Sequence, residues 1–489
     1  QDIREKSGES LRTIRSGEPL DQVTTTSLEA LRLYAEADRT FDQGDYRRTI
    51  ELLEEATGLD PAFAMAWRRL AAVFNNTGLD NARQVNAITQ AYENRDRLTE
   101  RERYLTEAYY YSTVTQDRPA TIAAYQNVLD IDPDDQAALN NLANEYQAIE
   151  DLDRAAELYR RAIDGPGRSN TAFQNLLRIY IGARKHTDAL ALLKEYEAAY
   201  PGDANLHEFS FWVHFTAGDL DAAVAAAEPY ARDPAIPAFV RVGALEELAQ
   251  VAYWQGRLDE GRRLMLEAER VGREVSPAFA WARRNWTTWI ERMVGDEAWG
   301  LEHLREGLRA GEFEAIPDPV SRNHFFTTLN LSESGAYEET ARILADTTSL
   351  GQLLGTSDRL DLKRTALYAD VAIGRTEGAV ERHQELIAES GCPTCWRTEE
   401  AWMALTMGHT EEAIRRYEAI LDDGFTFMQL NAPYWLRAMS VLGPLYEEAG
   451  DTANAIASYQ RLVDRWADGD ARGQAKVRVA QARITALGG

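Results

Sequence analysis

The sequence predicts an all-α superhelical solenoid of about 12 helical hairpins, and three recurring features predict it. The first is an apolar phrase: Trp67, Leu70, Ala71 and Phe74; then Leu139, Leu142, Ala143 and Tyr146; then Phe173, Leu176, Leu177 and Tyr180. The last two copies lie 34 residues apart, and their spacing puts all four residues on one face of a helix. The second is a turn residue after each phrase, often Gly followed by Asp, as in Gly44-Asp45, Gly218-Asp219 and Gly450-Asp451. Gly tolerates the left-handed backbone that closes a helix, and Asp caps the next one. The third is a proline break after the second helix, at Pro61, Pro133 and Pro201, where the missing amide hydrogen stops helix growth.

Taken in order, residues 1–27 form an N-terminal helical arm and linker. Ile3, Leu11 and Ile14 give the arm an apolar edge, and Ser16-Gly17-Glu18-Pro19 separates it from the first hairpin. Residues 28–234 form the regular array, with turns at Gly44, Gly78, Gln116, Glu150, Arg184 and Gly218. Residues 235–390 form a degenerate array with longer connections and turns at Gly256, Gly295, Gly335 and Gly374. Before Gly295 the repeat register puts Arg284, Thr287, Thr288 and Glu291 at core positions, which is no apolar core. The helically spaced stripe Phe279, Ala282, Trp286, Ile290 and Met293 is expected to replace it. Residues 391–489 add units turning at Gly408 and Gly450 and an amphipathic closing helix with Val477, Val479, Ile484 and Leu487.

These phrases, turns and breaks resemble the tetratricopeptide repeat, in pattern as well as period. The resemblance implies a protein-interaction scaffold whose hairpins present a second stripe, offset from the core, on the first helix of each pair. In the best-registered units that stripe is Arg68 and Asn75, then Asn140, Asn144 and Gln147, then Gln174 and Arg178. Such side chains hydrogen-bond the backbone of an extended peptide or a carboxylate. The lysines with which the family clamps a C-terminal carboxylate are absent from these positions. Gly8-Glu9-Ser10-Leu11, Thr25-Thr26-Ser27-Leu28 and Leu98-Thr99-Glu100-Arg101 are similar to the repeat regions of bacterial signalling proteins, in which a kinase, cyclase or winged-helix module precedes the repeats. No kinase signature accompanies them, so the resemblance implies a sensing or partner-binding array and no catalysis.

The formal charge is −26, a field that repels phosphate backbones and anionic lipid, so neither nucleic acid nor a membrane surface is an expected partner. No apolar run is long enough for a membrane helix. A chain beginning at Gln1 reads as a processed, extracytoplasmic protein or as a piece of a longer, cytoplasmic one. The sole cysteines, Cys392 and Cys395, read as a local disulfide or paired structural thiols; free thiols and a redox or metal role are the alternatives. One Cys pair supplies two of the four ligands a structural zinc needs. His207 and His214 stand two helical turns apart, too far to share a metal. Trp281, Trp286, Trp289 and Trp299 read as core rather than as an aromatic cage. No nucleotide loop or catalytic motif is present, so no cofactor and no enzymatic activity are expected.

The expectation is a non-enzymatic scaffold for a protein or peptide partner. The alternative is a self-assembling protein that forms homo-oligomers or head-to-tail filaments through the arm and an open end-face of the closing helix.

Overall fold

The computed structural model describes residues 25–42, 45–77, 81–203, 205–317, 319–348, 356–390, 396–422 and 431–489. Among them are 25 α-helices and no strand: twelve antiparallel pairs, from Leu28–Asp42 with Tyr46–Leu59 to Asn431–Glu448 with Thr452–Arg465, and a last helix, Ala471–Ala486. The arm residues Ile3, Leu11 and Ile14 lie outside the described residues, as do Cys392 and Cys395.

The turns explain the pairing. Of the twelve expected turn residues, Gly44 and Gly78 lie outside the described residues, and all ten others have positive φ. Gln116, Glu150 and Arg184 do so without being glycine, at φ 54°, 62° and 54°. The next helix starts at once. Asp117, Asp151, Asp219 and Asp451 each accept a hydrogen bond from the backbone N–H three residues on. These caps satisfy amides that the first helical turn leaves without partners.

The chain falls into two compact units, residues 1–176 and 177–489. In the first, Leu52, Phe63, Leu70, Phe74 and Ile88 are buried together, with Ala56, Ala71 and Ala91 where helices approach closely. Leu139, Leu142, Ala143 and Tyr146 repeat the pattern further along the unit.

In the second unit the chain returns on itself. Trp435 and Tyr434 of the helix Asn431–Glu448 meet Trp254 and Trp289, with ring centroids 5.5 Å and 4.8 Å apart. The helix Ala471–Ala486 docks beside the helix Leu258–Gly272. There the Asp470 amide donates to the Gly256 carbonyl at 3.3 Å, and the Asp470 carboxylate accepts from the Asp259 amide at 2.5 Å. A Cβ on Gly473 would collide with the Gly256 carbonyl oxygen, and one on Gly256 with the Trp466 ring. The seam therefore requires both glycines. Val477 is buried on this helix, whereas Val479 stays 63% exposed.

The helix Pro277–Met293 departs from expectation. Arg284, Thr287, Thr288 and Glu291 are the buried positions, at 7%, 0%, 0% and 0% exposure, so the repeat register holds. Of the alternative stripe, Ile290 and Met293 are buried, but Phe279, Ala282 and Trp286 are only half-buried. The physical reason is pairing. Arg284 donates to Glu269 Oε1 at 2.7 Å and to the His303 carbonyl at 2.6 Å, and His303 Nε2 lies 2.8 Å from Glu269 Oε2. Glu291 accepts from the Tyr253 hydroxyl at 2.6 Å and from Arg262 and Arg472. Charges can be buried when partners satisfy them, which apolar patterning does not register. Of the four tryptophans read as core, Trp281 and Trp289 are 1% exposed, while Trp286 and Trp299 are half-buried.

Candidate functional site

Asn75, Asn140, Asn144 and Gln147 of the stripe expected in the first unit are already hydrogen-bonded to neighbouring side chains. Asn175 Nδ2 donates to Asn140 Oδ1 at 3.1 Å, and Asn140 Nδ2 to Asn141 Oδ1 at 3.1 Å. The Tyr159 hydroxyl lies 2.5 Å from Asn144 Oδ1 and 3.1 Å from Gln147 Oε1. Asn75 is exposed and accepts from Gln84 Nε2 at 3.2 Å. Arg68 is half-buried, and its Nε has no hydrogen-bond partner among the described residues; Gln174 is half-buried. Arg178 belongs to the second unit, where its guanidinium lies 5.1 Å from the centroid of the Phe209 ring.

The second unit contains a cavity of about 490 Å³ between the first helices of four successive hairpins. The helix Leu206–Ala217 contributes His207, Glu208 and Trp212. Ala238–Trp254 contributes Phe239, Gly243, Glu246 and Gln250, which recur every three or four positions and so share one helical face, with Glu247 beside them. Pro277–Met293 adds Arg283 and Trp286, and His324–Glu333 adds Phe326. Asn323, at the rim, caps that last helix from a left-handed backbone, φ 50°, and accepts from the Phe326 amide.

Sequence reasoning missed this site although its own rule reaches it. Asn140 and Asn144 stand 10 and 6 residues before the turn residue Glu150. The same count back from Gly218 and Gly256 gives Glu208 and Trp212, then Glu246 and Gln250, all four of which line the cavity. The stripe expected from the sequence covers only the best-registered units, which stop short of these hairpins.

The cavity is acidic. Among the described residues that line it, Glu208, Glu246 and Glu247 stand with one arginine, Arg283, whose Nε lies 3.1 Å from Glu246 Oε1. Glu247 and Gln250 are each 4% exposed, and Glu247 Oε2 and Gln250 Oε1 have no hydrogen-bond partner among the described residues. Burial, reinforced by Glu208 and Glu246, holds the Glu247 carboxyl well above the usual carboxylate range. Burial also raises Glu246, against the opposing pull of Arg283. Trp212, Phe239, Trp286 and Phe326 supply aromatic walls, with Phe239 58% exposed at the surface. Among the described residues no group of three or more His, Cys, Asp and Glu side chains is placed to hold a metal ion. None of the described helices is long and apolar enough to cross a membrane.

One family model agrees with the hairpin geometry. The sequence model of the family described as Tetratricopeptide repeat matches residues 34–91, 140–204 and 398–470. Among solved structures, the chain is similar to a tetratricopeptide repeat protein from Parabacteroides merdae, with 16% identity, 50% of this chain and 94% of that one covered, and a TM-score of 0.35. It is similar also to PilW, a widely conserved type IV pilus biogenesis factor, with 17% identity, coverage of 42% and 92%, and a TM-score of 0.35. A third similar structure is MamA, with 19% identity, coverage of 34% and 97%, and a TM-score of 0.25. No curated protein matches the sequence. The chain is an all-α solenoid that carries tetratricopeptide repeats over residues 34–91, 140–204 and 398–470.

Proposed function

We propose that the chain is a non-enzymatic scaffold that binds a protein or peptide partner along the stripe displayed by the first helices of its hairpins. Tetratricopeptide arrays generally mediate protein–protein interactions. The observation that carries the reading for this chain is the cavity in the second unit: stripe positions of successive hairpins converge there on buried, unpartnered acceptors within aromatic walls. Concave sites that combine aromatic walls with a few convergent polar groups are favoured binding sites.

The test is selection from a displayed random-peptide library against the intact chain. Recovered peptides are expected to bind in solution and to lose at least tenfold in affinity when Trp286 and Gln250 are both changed to Ala. Failure to recover any binder, or binders indifferent to those changes, would contradict the stripe as the binding surface.

A second reading, homo-oligomer or filament formation, is favoured by one observation. Exposed Val479 adjoins Pro444, Leu462 and Ala480 in an open groove of about 810 Å³ on the closing helix. Sedimentation as a monomer across a hundredfold range of concentration would eliminate it.

A further inference from the structure

We infer that the cavity beside the helix Ala238–Trp254 receives one basic side chain of a peptide partner, a lysine ammonium or an arginine guanidinium, seated between Glu247 and Gln250. The inference rests on the scaffold reading and names the group that the site selects.

Three observations carry it. Glu247 Oε2 and Gln250 Oε1 belong to residues one helical turn apart, both almost wholly buried, and each oxygen lacks a donor among the described residues. Leaving two buried acceptors unsatisfied is costly, so the fitting ligand brings N–H donors in pairs. Lysine carries three such donors and arginine five. Next, the described residues that line the cavity carry three carboxyl groups, Glu208, Glu246 and Glu247, and one arginine, Arg283, which is paired with Glu246. A cation is met by Glu247, which ionises as the cation arrives, whereas an anion meets Arg283 already paired with Glu246. Last, Trp212, Phe239, Trp286 and Phe326 suit the aliphatic stem of such a side chain and attract a cation to their faces.

The acceptors also decide among cations. A quaternary ammonium has the charge and the affinity for aromatic faces but no N–H, so it leaves both oxygens unmet. Arrival of a cation favours ionised Glu247 over the protonated form that burial promotes, so binding is expected to tighten as pH rises through the titration of Glu247. The titratable and charged groups lining the cavity around Glu247 are His207, Glu208, Glu246 and Arg283.

The experiment uses the intact chain and five probes: pentapeptide pools with a central lysine, arginine, norleucine or trimethyllysine, and free pentylamine. Binding is read by tryptophan fluorescence and calorimetry. The lysine or arginine pool is expected to bind at least tenfold tighter than the norleucine and trimethyllysine pools and than pentylamine. Glu247→Gln and, separately, Gln250→Leu should shrink that preference to about twofold with helical content unchanged. Calorimetry at several pH values should show the affinity of the wild type for the lysine pool rising with pH, and that of Glu247→Gln unchanged. Equal binding of lysine and norleucine, or a preference that survives both substitutions, would overturn the basic-side-chain assignment while leaving a peptide scaffold standing. Pentylamine binding as tightly as the lysine pool would make the site one for small amines and overturn the peptide assignment. If no pool binds at all, the scaffold reading fails with it.

Discussion

Arg472 and Glu291 are 181 residues apart in sequence, yet Arg472 Nη2 donates to Glu291 Oε2 at 2.9 Å. Glu291 is fully buried and is held also by Tyr253 and Arg262. This contact fastens the closing helix to the middle of the second unit. Removing one partner of a buried pair leaves its charge uncompensated, at a cost of about 3–5 kcal/mol. Because Arg262 remains beside Glu291, Arg472→Ala is expected to destabilise the second unit by about 3 kcal/mol, the lower end of that range. Urea denaturation measures it, and limited proteolysis should show faster cleavage after Trp466. An unchanged midpoint would mean that the seam contributes nothing.

The glycines at the seam offer an independent check. Gly473→Val places side-chain atoms where the Gly256 carbonyl oxygen stands, so the closing helix has to move away. Gly58 has no atom within 4 Å of its would-be Cβ, and Gly58→Ala serves as the control. Thermal denaturation should show a clear loss for the first and a small gain for the second, since alanine favours a helix interior over glycine.

The hairpin turns predict opposite signs for glycine. Glu150 and Arg184 hold left-handed backbones that disfavour a side chain, whereas Gly218 occupies the same conformation without that cost. Glu150→Gly should stabilise the chain, and Gly218→Ala should destabilise it, each by about 1 kcal/mol. Matching denaturation curves for both variants and the wild type would contradict the strain argument.

His383 gives a pH dependence. Burial, aided by the charges of Arg364 and Arg416, lowers its pKa from 6.5 to about 4. The unfolded chain therefore binds more protons than the folded one between those values, and the His383 contribution to stability is lost as pH falls through this window. Its slope is at most about 1.4 kcal/mol per pH unit. Comparing urea midpoints from pH 7 down to 4.5 should show a shallower fall for His383→Gln than for the wild type. Parallel curves would show that His383 does not contribute.

Much of the fold is legible in the sequence because a repeat writes its rules many times. The period locates the turn at Glu150 and Arg184 although neither is glycine, and both backbones are left-handed. Legibility ends where a residue's environment comes from distant chain. Arg284 and Glu291 look unfit for a core until Glu269, Arg262 and Arg472 stand beside them, and no local pattern announces those partners. The cavity shows the same division. Glu208, Trp212, Glu246 and Gln250 are reached by counting back from a turn, but the burial of Glu247 and its missing partner depend on how four helices pack.

The central claim is that a partner engages the stripe of first helices at this cavity. The most direct measurement replaces Phe239, at the cavity and 58% exposed, with a photo-crosslinking amino acid, irradiates the complex with a selected peptide, and maps the joined residue by mass spectrometry. The same probe at Val479, on the closing helix and 63% exposed, is the reference. The account predicts crosslinks from position 239 to a peptide residue next to a lysine or arginine, and few from 479. Crosslinks confined to position 479, or absent at 239 while the peptide remains bound, would contradict it.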